Sequence, residues 1–294
     1  AAPLGLVSAV DAVDSAAGVA APARDSGLDW NEFPAGLVPE DASDPAADPA
    51  ADPAATTSAQ IDPTGRASAS QIAPLDPPTR KFIELAEAGD LSGIEELVAK
   101  ESVDLNGGEP RMGDTALHLS VWEGHVAVLK FLLKQGADPN VKNTAGYTPL
   151  LLSTRCKHDK RMDMMKQLLM GGANPWSTNN NGNNALHWAS HLGLMDMVEW
   201  MLGEDNLQVD MPNDDGRTAL MLASAAGKDN AVKRLLKAGA SVDMVEPVLG
   251  RASLALAANK GSARVVQALL AAGANKEHTD QFGETAAGIA LAKG

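Results

Sequence analysis

The stretch that decides the fold runs from Gly113 to Asn140 and reads GDTALHLSVWEGHVAVLKFLLKQGADPN. It contains two amphipathic helical segments, and altered copies of it recur along the chain. The glycines that open successive copies are Gly113, Gly146, Gly182, Gly216, Gly250 and Gly283. Their spacings are 33, 36, 34, 34 and 33 residues. A period near 33 with two helical segments per period predicts a helical solenoid.

Five of these copies resemble the ankyrin repeat. Their first halves read GDTALHLS, GYTPLLLS, GNNALHWA, GRTALMLA and GRASLALA, and repeats close with LLKQGAD, LLKAGAS or LLAAGAN. The resemblance covers about residues 79–294. It implies an all-α ankyrin-repeat solenoid, built from helix-turn-helix pairs joined by β-hairpin-like loops. It also implies that the chain binds other proteins through the concave face of the repeats.

Each part of the repeat has a physical role. The opening glycine supplies the positive φ that a tight turn needs, and threonine hydroxyls at 115, 148 and 218 are placed to cap the first helix. The predicted core residues of the first helices are Leu117, Leu150, Leu186, Leu220 and Leu254. A less regular helical pair at 76–100 precedes the repeats, with Asp76 as N-cap and Pro77 at the first helical position. An atypical pair is expected there, because the outer face of a terminal repeat meets water.

The segment before the repeats, residues 1–74, is predicted to be an extended or disordered tail, and residues 75–294 the repeat domain. Residues 1–78 hold twelve acidic side chains against two arginines, which accounts for ten of the fourteen net negative charges. The run DPAADPAADPAA at 44–55 has proline at every fourth residue, which removes the donors that a helix needs. An aromatic island at 28–37, LDWNEFPAGL, contains Trp30 and Phe33. It docks on another protein, folds back on the chain's own repeats, or is a chance pair of aromatics.

Composition narrows the class of partner. A formal net charge of −14 gives no counterion-release free energy for nucleic-acid binding, so the expected partners are one or more proteins. No apolar run approaches the roughly 20 residues that span a bilayer, so a soluble protein is expected. The single cysteine, Cys156, excludes a disulfide framework and indicates a reducing intracellular compartment. The Ala-rich start at Ala1 is either that of a processed chain whose transit peptide has been removed or an arbitrary boundary. The predicted location is accordingly an organelle interior, chloroplast or mitochondrion, or the cytoplasm.

No catalytic motif is present, whether GxGxxG, phosphate loop or nucleophile elbow. We therefore expect no enzyme activity, no cofactor, no metal and no small-molecule substrate. His118 and His187 occupy the ankyrin histidine position, where the resemblance implies hydrogen bonds between neighbouring loops. His187 and His191 are four residues apart, but no third metal ligand accompanies them. Cys156 has basic neighbours that favour a thiolate, and a partly exposed thiolate is redox-sensitive.

The ankyrin resemblance implies outward-facing residues at the hairpin tips and near the end of each first helix. Trp122, Tyr147 and Arg155 are the predicted anchors, because aromatic and arginine side chains dominate interface energetics. Trp188 is assigned to the core instead. The tip residues expected to face outward include Arg111, Met112, Asp114, Asn180 and Asn183. The full predicted protein-binding set is Trp122, Glu123, Tyr147, Arg155, His191, Asn181, Arg217, Asn259, Lys260, Trp30 and Phe33.

Three hypotheses of function follow. The leading one is a scaffold that uses its concave face and tail as an accessory or assembly subunit of a large organellar multiprotein complex. The alternative is a soluble chaperone or targeting factor that carries client proteins, as some ankyrin proteins of chloroplasts do. The third is a redox or metal-dependent regulator built on Cys156, His158 and His191. The basic insertion STRCKHDKRMDMM at 153–165 is either a solvated loop or a knob that meets an acidic partner.

Overall fold

The computed structural model of the chain describes residues 75–156, 159–203 and 208–293. The predictions for the tail, including Trp30 and Phe33, and for His158 lie outside these residues. The helices are α1 (Pro77–Ala88), α2 (Leu91–Lys100), α3 (Ala116–Trp122), α4 (Val126–Lys134), α5 (Pro149–Ser153), α6 (Arg161–Met170), α7 (Ala185–Leu192), α8 (Met195–Met201), α9 (Ala219–Ala225), α10 (Asp229–Lys237), α11 (Ser253–Lys260), α12 (Ala263–Ala271) and α13 (Ala286–Lys293). Between them, the described residues form only isolated antiparallel bridges, such as the one joining Gly108 to Thr115. The predicted all-α class is confirmed.

Two compact units make up the chain. One comprises Asn31–Asn179, and its described part, residues 75–179, contains α1 to α6. The other comprises Ala1–Trp30 and Asn180–Gly294, and its described part begins at residue 180 and contains α7 to α13. We call these described parts the N-terminal body and the C-terminal body. The boundary between a tail and a repeat domain at residue 75 stays a prediction.

The helix starts follow from local side-chain chemistry. Asp76 Oδ2 accepts a hydrogen bond from the Thr79 backbone N–H at 3.1 Å, and Pro77 opens α1, as the sequence indicates. The hydroxyls of Thr148 and Thr218 accept from the N–H three residues on, at 3.3 and 3.4 Å, and cap α5 and α9. All six opening glycines have positive φ, between 66° and 78°. The predicted turns and caps are confirmed at these positions.

Each body has two layers of helices. In the N-terminal body the first helices of the repeats, α1, α3 and α5, pack side by side, and the second helices, α2, α4 and α6, form the other layer. In the C-terminal body α7, α9, α11 and α13 form one layer, while α8, α10 and α12 form the other. All five predicted core leucines are buried between the layers. Truncating one of them to Ala is expected to cost about 2–5 kcal/mol, because the cavity left behind cannot fully collapse.

The described helices are short, from five to twelve residues. None of them combines the length and the apolar character that crossing a membrane requires.

Candidate protein-interaction surface

Two buried histidines join neighbouring hairpins. His118 Nε2 donates a hydrogen bond to the Tyr147 carbonyl oxygen at 2.9 Å. His187 Nε2 makes the equivalent contact with the Arg217 carbonyl oxygen at 3.2 Å. Burial lowers the pKa of each imidazole to about 4, so both are neutral at pH 7. The predicted loop-bridging role is confirmed. Among the described residues, no group of three or more His, Cys, Asp or Glu side chains is arranged to hold a metal ion.

A second set of inter-hairpin contacts occupies one equivalent place in three repeats. It joins the residue after an opening glycine to the residue three positions before the next opening glycine. Asn143 Nδ2 donates to Asp114 Oδ1 at 2.8 Å. Two further pairs are Asn213 with Asn183 at 3.0 Å and Arg251 with Asp280 at 3.1 Å.

These pairs correct part of the predicted tip row. Asp114, expected to face outward, is 3% exposed, and Asn183 is buried as well. The reason is geometric: the side chain that follows the opening glycine lies between two hairpins, where a partner from the next repeat meets it. Burial raises the pKa of Asp114 to about 6, despite the Asn143 hydrogen bond, and the charge of Glu109 adds to the rise.

The predicted anchors of the N-terminal body lie in different environments. Tyr147 was expected to be exposed, but it is 4% exposed, because it directly follows the opening glycine Gly146 and so holds the same buried position as Asp114. Arg155 is half-buried, and its Nη1 donates to the Tyr147 hydroxyl at 2.8 Å. The Arg155 guanidinium carbon also lies 5.6 Å from the centre of that ring, within cation–π distance. Tyr147 therefore positions Arg155, while Trp122 and Glu123 are half-buried at the end of α3.

The predicted residues of the C-terminal body follow the ends of its first helices. His191 on α7 is half-buried, with its ring edge-on to Trp188 at 6.3 Å between centroids. Trp188 itself is buried, as expected for a core position. Asn259 is half-buried and Lys260 exposed at the end of α11. On the hairpins, the predicted residues are exposed Asn181 and half-buried Arg217.

Cys156 does not have the partly exposed thiolate that its basic neighbours suggested. The side chain is 2% exposed, and Sγ donates to the Ser153 carbonyl at 3.2 Å. Arg161 Nη2 instead donates to the Cys156 backbone carbonyl at 2.7 Å. The partial exposure that the redox hypothesis requires is therefore absent at this position.

Sequence reasoning missed a pair of matching loops, EPRMG at 109–113 and EPVLG at 246–250. In the second, the Glu246 carboxylate is buried and accepts from the Val248 and Leu249 backbone N–H groups, both at 2.9 Å. Glu109 accepts in the same way from Arg111 N–H, at 2.7 Å, and from Met112 N–H. The repeated sequence pattern Glu-Pro-X-X-Gly could have predicted that these two loops share a structure.

The hairpin tips of the last two repeats also carry exposed apolar side chains that the sequence reading did not single out. Val248 is 53% exposed and Phe282 is 67% exposed. The two tips are joined directly, because the Gln281 N–H donates to the Leu249 carbonyl at 2.9 Å.

The comparisons agree with this architecture. A model of three ankyrin repeats matches residues 152–246, and a single ankyrin repeat matches residues 112–144. The crystal structure of the human ASB11 ankyrin repeat domain superposes with a TM-score of 0.60 and 28% identity, covering 71% of this chain and 90% of that domain. Residues 112–144 and 152–246 thus match ankyrin-repeat models, and the fold is that of an ankyrin-repeat domain, whose repeats serve protein interaction.

Two curated relatives show how widely the repeats are used. The palmitoyltransferase AKR1 of Kluyveromyces lactis is 28% identical over 172 residues, which is 57% of this chain and 22% of that protein. The transient receptor potential cation channel subfamily A member 1 of Homo sapiens is 25% identical over 204 residues, which is 56% of this chain and 18% of the channel. The chain thus spans about a fifth of the length of these relatives.

The expectation that the protein lacks enzyme activity is contradicted by these relatives and is withdrawn. Besides the protein of Kluyveromyces lactis, similar proteins of Lachancea kluyveri and Saccharomyces cerevisiae are also named palmitoyltransferase AKR1, and a palmitoyltransferase is an enzyme. Repeats of this kind build an interaction surface and leave open what the rest of a protein does, so an absence of motifs within them decides nothing about activity. The expectation that the protein has no small-molecule substrate rested on the same absence of motifs and is withdrawn with it.

Proposed function

We propose that the protein is a scaffold that holds other proteins together as a subunit of a multiprotein assembly. The observation that carries the proposal is a contrast within each repeat. Buried positions repeat the same residue types, whereas the exposed and half-buried positions at the helix ends and hairpin tips differ from repeat to repeat. A surface that varies on a constant framework is what selective protein recognition needs.

In the N-terminal body the proposed contact is centred on Trp122 and Arg155. Each lies nine residues after the opening glycine of its repeat, so the two positions are equivalent. The repeats are adjacent, and their first helices, α3 and α5, pack against each other. Arg155 is held by the Tyr147 hydroxyl and ring, so little side-chain entropy remains to be lost when a partner binds. An aromatic and a preorganised arginine side by side are typical of interface hot spots.

In the C-terminal body the proposed contact uses His191, Asn259 and Lys260 at the helix ends, with Asn181 and Arg217 on the hairpins. The small side chains of Ala225 and Ala226 lie between the two helix-end pairs, because α9 packs between α7 and α11. A partner segment can therefore approach the backbone closely at α9.

The N-terminal tail is proposed as a second contact through Trp30 and Phe33. Its aromatic island stands within an otherwise acidic, Ala- and Pro-rich segment, a composition that favours binding to a partner over forming a core of its own. We propose the interior of a chloroplast or mitochondrion as the place of the assembly.

Co-purification from native extract tests the scaffold. The full chain is expected to retain a partner in fixed stoichiometry, and Trp122→Ala with Arg155→Ala is expected to weaken that retention by about 2–4 kcal/mol in total. Trp176→Ala is the matched control. Trp176 is also half-buried and in the same body, but it lies in the loop after the second helix α6 and not at the end of a first helix. Equal retention by the double variant and the full chain would remove Trp122 and Arg155 from the interface.

A chain lacking residues 1–72 separates the contribution of the tail from that of the repeats. If neither form retains a stoichiometric partner, the subunit hypothesis fails. Weak, salt-sensitive binding to many client proteins would instead favour the transient carrier.

A further inference from the structure

Two lysines of the C-terminal body lie where first helices end and turn towards second helices. The aliphatic part of Lys228, after α9, lies across Gly193 of the preceding repeat, where an added Cβ would come within 3.1 Å of Lys228 Cδ. Lys260, at the end of α11, lies across Gly227 in the same way, at 3.5 Å from Cγ. Both glycines have positive φ, 74° and 70°, so any larger residue there would be strained and would crowd the lysine above it. We call these two lysines and two glycines the lysine row.

The ammonium groups of the lysine row lack an anionic partner. Among the described residues, neither group donates a hydrogen bond or forms an ion pair. Asp229, the residue after Lys228, is paired with Lys233 Nζ at 3.5 Å. In the N-terminal body the side chain that lies over the equivalent glycine is His125, and its Nε2 donates to the Glu87 carbonyl at 3.0 Å. The equivalent side chain is thus satisfied within the fold in one body, whereas the lysines are not.

Other carboxylates of the C-terminal body do not cancel this charge. No Asp or Glu occurs in the three stretches that form this edge, 191–194, 225–228 and 259–262. Asp214 and Asp215 lie on the hairpin before α9, and the length of that helix, about 10 Å, separates them from the row. This distance exceeds the Debye length of about 8 Å at physiological ionic strength. Asp196 on α8 is exposed and pairs with neither lysine. The row is therefore a local excess of positive charge on an acidic chain.

We propose that the lysine row binds an extended acidic segment of a partner protein, with one carboxylate on each ammonium group. The proposal rests on the scaffold function proposed above, and it names the kind of partner segment that the C-terminal body takes. Carboxylates are the complement because each ammonium group is a compact point charge with three donors. Nucleic acids and anionic membranes need clusters of basic residues, which two lysines on a chain of net charge −14 do not provide.

The spacing of the lysines sets the spacing of the acids. The row spans adjacent repeats whose first helices, α9 and α11, pack together, and packed helices are about 8–10 Å apart. A polyproline II segment has three residues per turn and rises about 3.1 Å per residue, so acids three residues apart lie on one side, about 9 Å apart. Ala225 and Ala226, beside Gly227, have no long side chain that would hold such a segment away. The predicted recognition pattern is therefore Asp or Glu, two small residues, and Asp or Glu again.

The contact selects a partner more than it supplies affinity. Exposed ion pairs are individually weak, so a short acidic peptide is expected to bind in the millimolar range. Packing of the lysine stems on the glycines restricts their motion before a partner arrives, so less side-chain entropy is lost on binding. The remaining affinity comes from the rest of the scaffold interface, and the row favours acidic segments over basic ones.

Zero-length carbodiimide cross-linking of the full chain to a synthetic peptide tests the contact, because it joins only carboxylates and amines that touch. The peptide is N-acetylated and has glutamate at every third residue among proline and alanine. Its links to Lys228 and Lys260 should exceed those to Lys237 several-fold. Lys237 on α10 is the matched control, because it is exposed in the same body and forms no ion pair among the described residues. The excess should disappear when salt is raised from about 0.1 M to about 1 M, as the Debye length falls from about 10 Å to about 3 Å.

A peptide of the same composition with its glutamates grouped at one end tests the spacing, and it should show less preference for the row. Lys228→Gln with Lys260→Gln should weaken binding of the spaced peptide about tenfold by fluorescence anisotropy, whereas Lys237→Gln should leave it unchanged. Links spread evenly over the exposed lysines, or stronger protection of the row by duplex DNA or anionic vesicles than by the peptide, would overturn the proposal. The wild-type cross-links decide the question even if a variant fails to fold.

The scaffold function and the lysine row can fail separately. A full chain that retains a stoichiometric partner from native extract but gives no preferred peptide links at the row refutes the row alone. Preferred links at the row without any retained partner refute the scaffold alone.

Discussion

At the scale of single residues, Asp114 is the side chain whose environment departs most from what its type prefers. It is buried between two hairpins with one amide donor, Asn143, and with Glu109 as a second negative charge nearby. The equivalent pair in the C-terminal body, Asn183 with Asn213, makes the same contact without any charge. The chain thus contains both the charged and the neutral version of one contact.

We expect Asp114→Asn to stabilise the protein at pH 7. The pKa of Asp114 is raised from 3.8 to about 6, so the folded state binds the proton more tightly than the unfolded chain does. The contribution of this carboxyl to the free energy of unfolding is therefore greatest below pH 4 and falls by up to about 3 kcal/mol as the pH rises to 6. In Asp114→Asn this decrease in the free energy of unfolding between pH 4 and pH 6 should be absent. Urea unfolding of both proteins at pH 4, 5, 6 and 7 measures the difference between them.

The reciprocal change, Asn183→Asp, is the control. It places a carboxyl in the neutral pair and should introduce a loss of stability over the same pH range. Parallel pH profiles for wild type and both variants would show that Asp114 is not desolvated enough to matter.

His118 has the opposite pH dependence. Its pKa is lowered from 6.5 to about 4 by burial, so the stability that the neutral imidazole contributes is complete above pH 6.5 and is lost as the pH falls towards 4. We expect His118→Ala to cost about 1–3 kcal/mol at pH 7, because the Tyr147 carbonyl loses its donor. The deficit should shrink at pH 5. Unfolding midpoints at the two pH values test this, with Lys134→Ala on the exposed face of α4 as the control.

At the scale of the helical element, the first helices differ in how their N-termini are satisfied. Thr218 caps α9 through its hydroxyl, whereas Ala252 holds the same position before α11 and offers no side-chain acceptor. Both positions are buried in the same extended conformation, with φ near −87° and ψ near 168°. The difference in stability between Thr and Ala at these positions should therefore be close to the contribution of the capping hydrogen bond alone.

We expect Thr218→Ala to destabilise the protein by about 1 kcal/mol and Ala252→Thr to stabilise it by a similar amount. Thermal unfolding of the two single variants and of the double variant measures both effects. Because the sites lie in adjacent repeats, the double variant also reports any coupling between them. A loss of stability in Ala252→Thr would mean that the added atoms do not fit beside Ser253.

The features that could be predicted from the sequence are those decided within a few residues. The Thr218 cap, the φ of Gly216 and the burial of Leu220 each follow from local chemistry and from the 33-residue period. The contact of Asp114 with Asn143 spans 29 residues, and it depends on how two hairpins meet, which no local pattern encodes. The burial of Tyr147 escaped prediction for the same reason.

At the scale of the whole molecule, the described repeats of each body pack against their neighbours within that body. Stability in such an array is close to a sum of repeat and nearest-neighbour terms, so a defect is expected to spread to adjacent repeats and to weaken with distance. Leu220 lies in the core of α9, which packs against α7 and α11. A cavity there removes support from three repeats of the C-terminal body.

We expect Leu220→Ala, at a cost of about 2–5 kcal/mol, to speed amide hydrogen exchange in α7, α9 and α11 most. Exchange in α1 and α3 should stay near wild-type rates, because the effect of a defect is expected to weaken with the number of repeats along the sequence. Mass-spectrometric exchange resolved by helix measures this, and Leu117→Ala in α3 is the matched variant, expected to give the converse pattern. If either substitution speeds exchange uniformly along the described residues, the chain unfolds as one cooperative unit and the nearest-neighbour description is wrong.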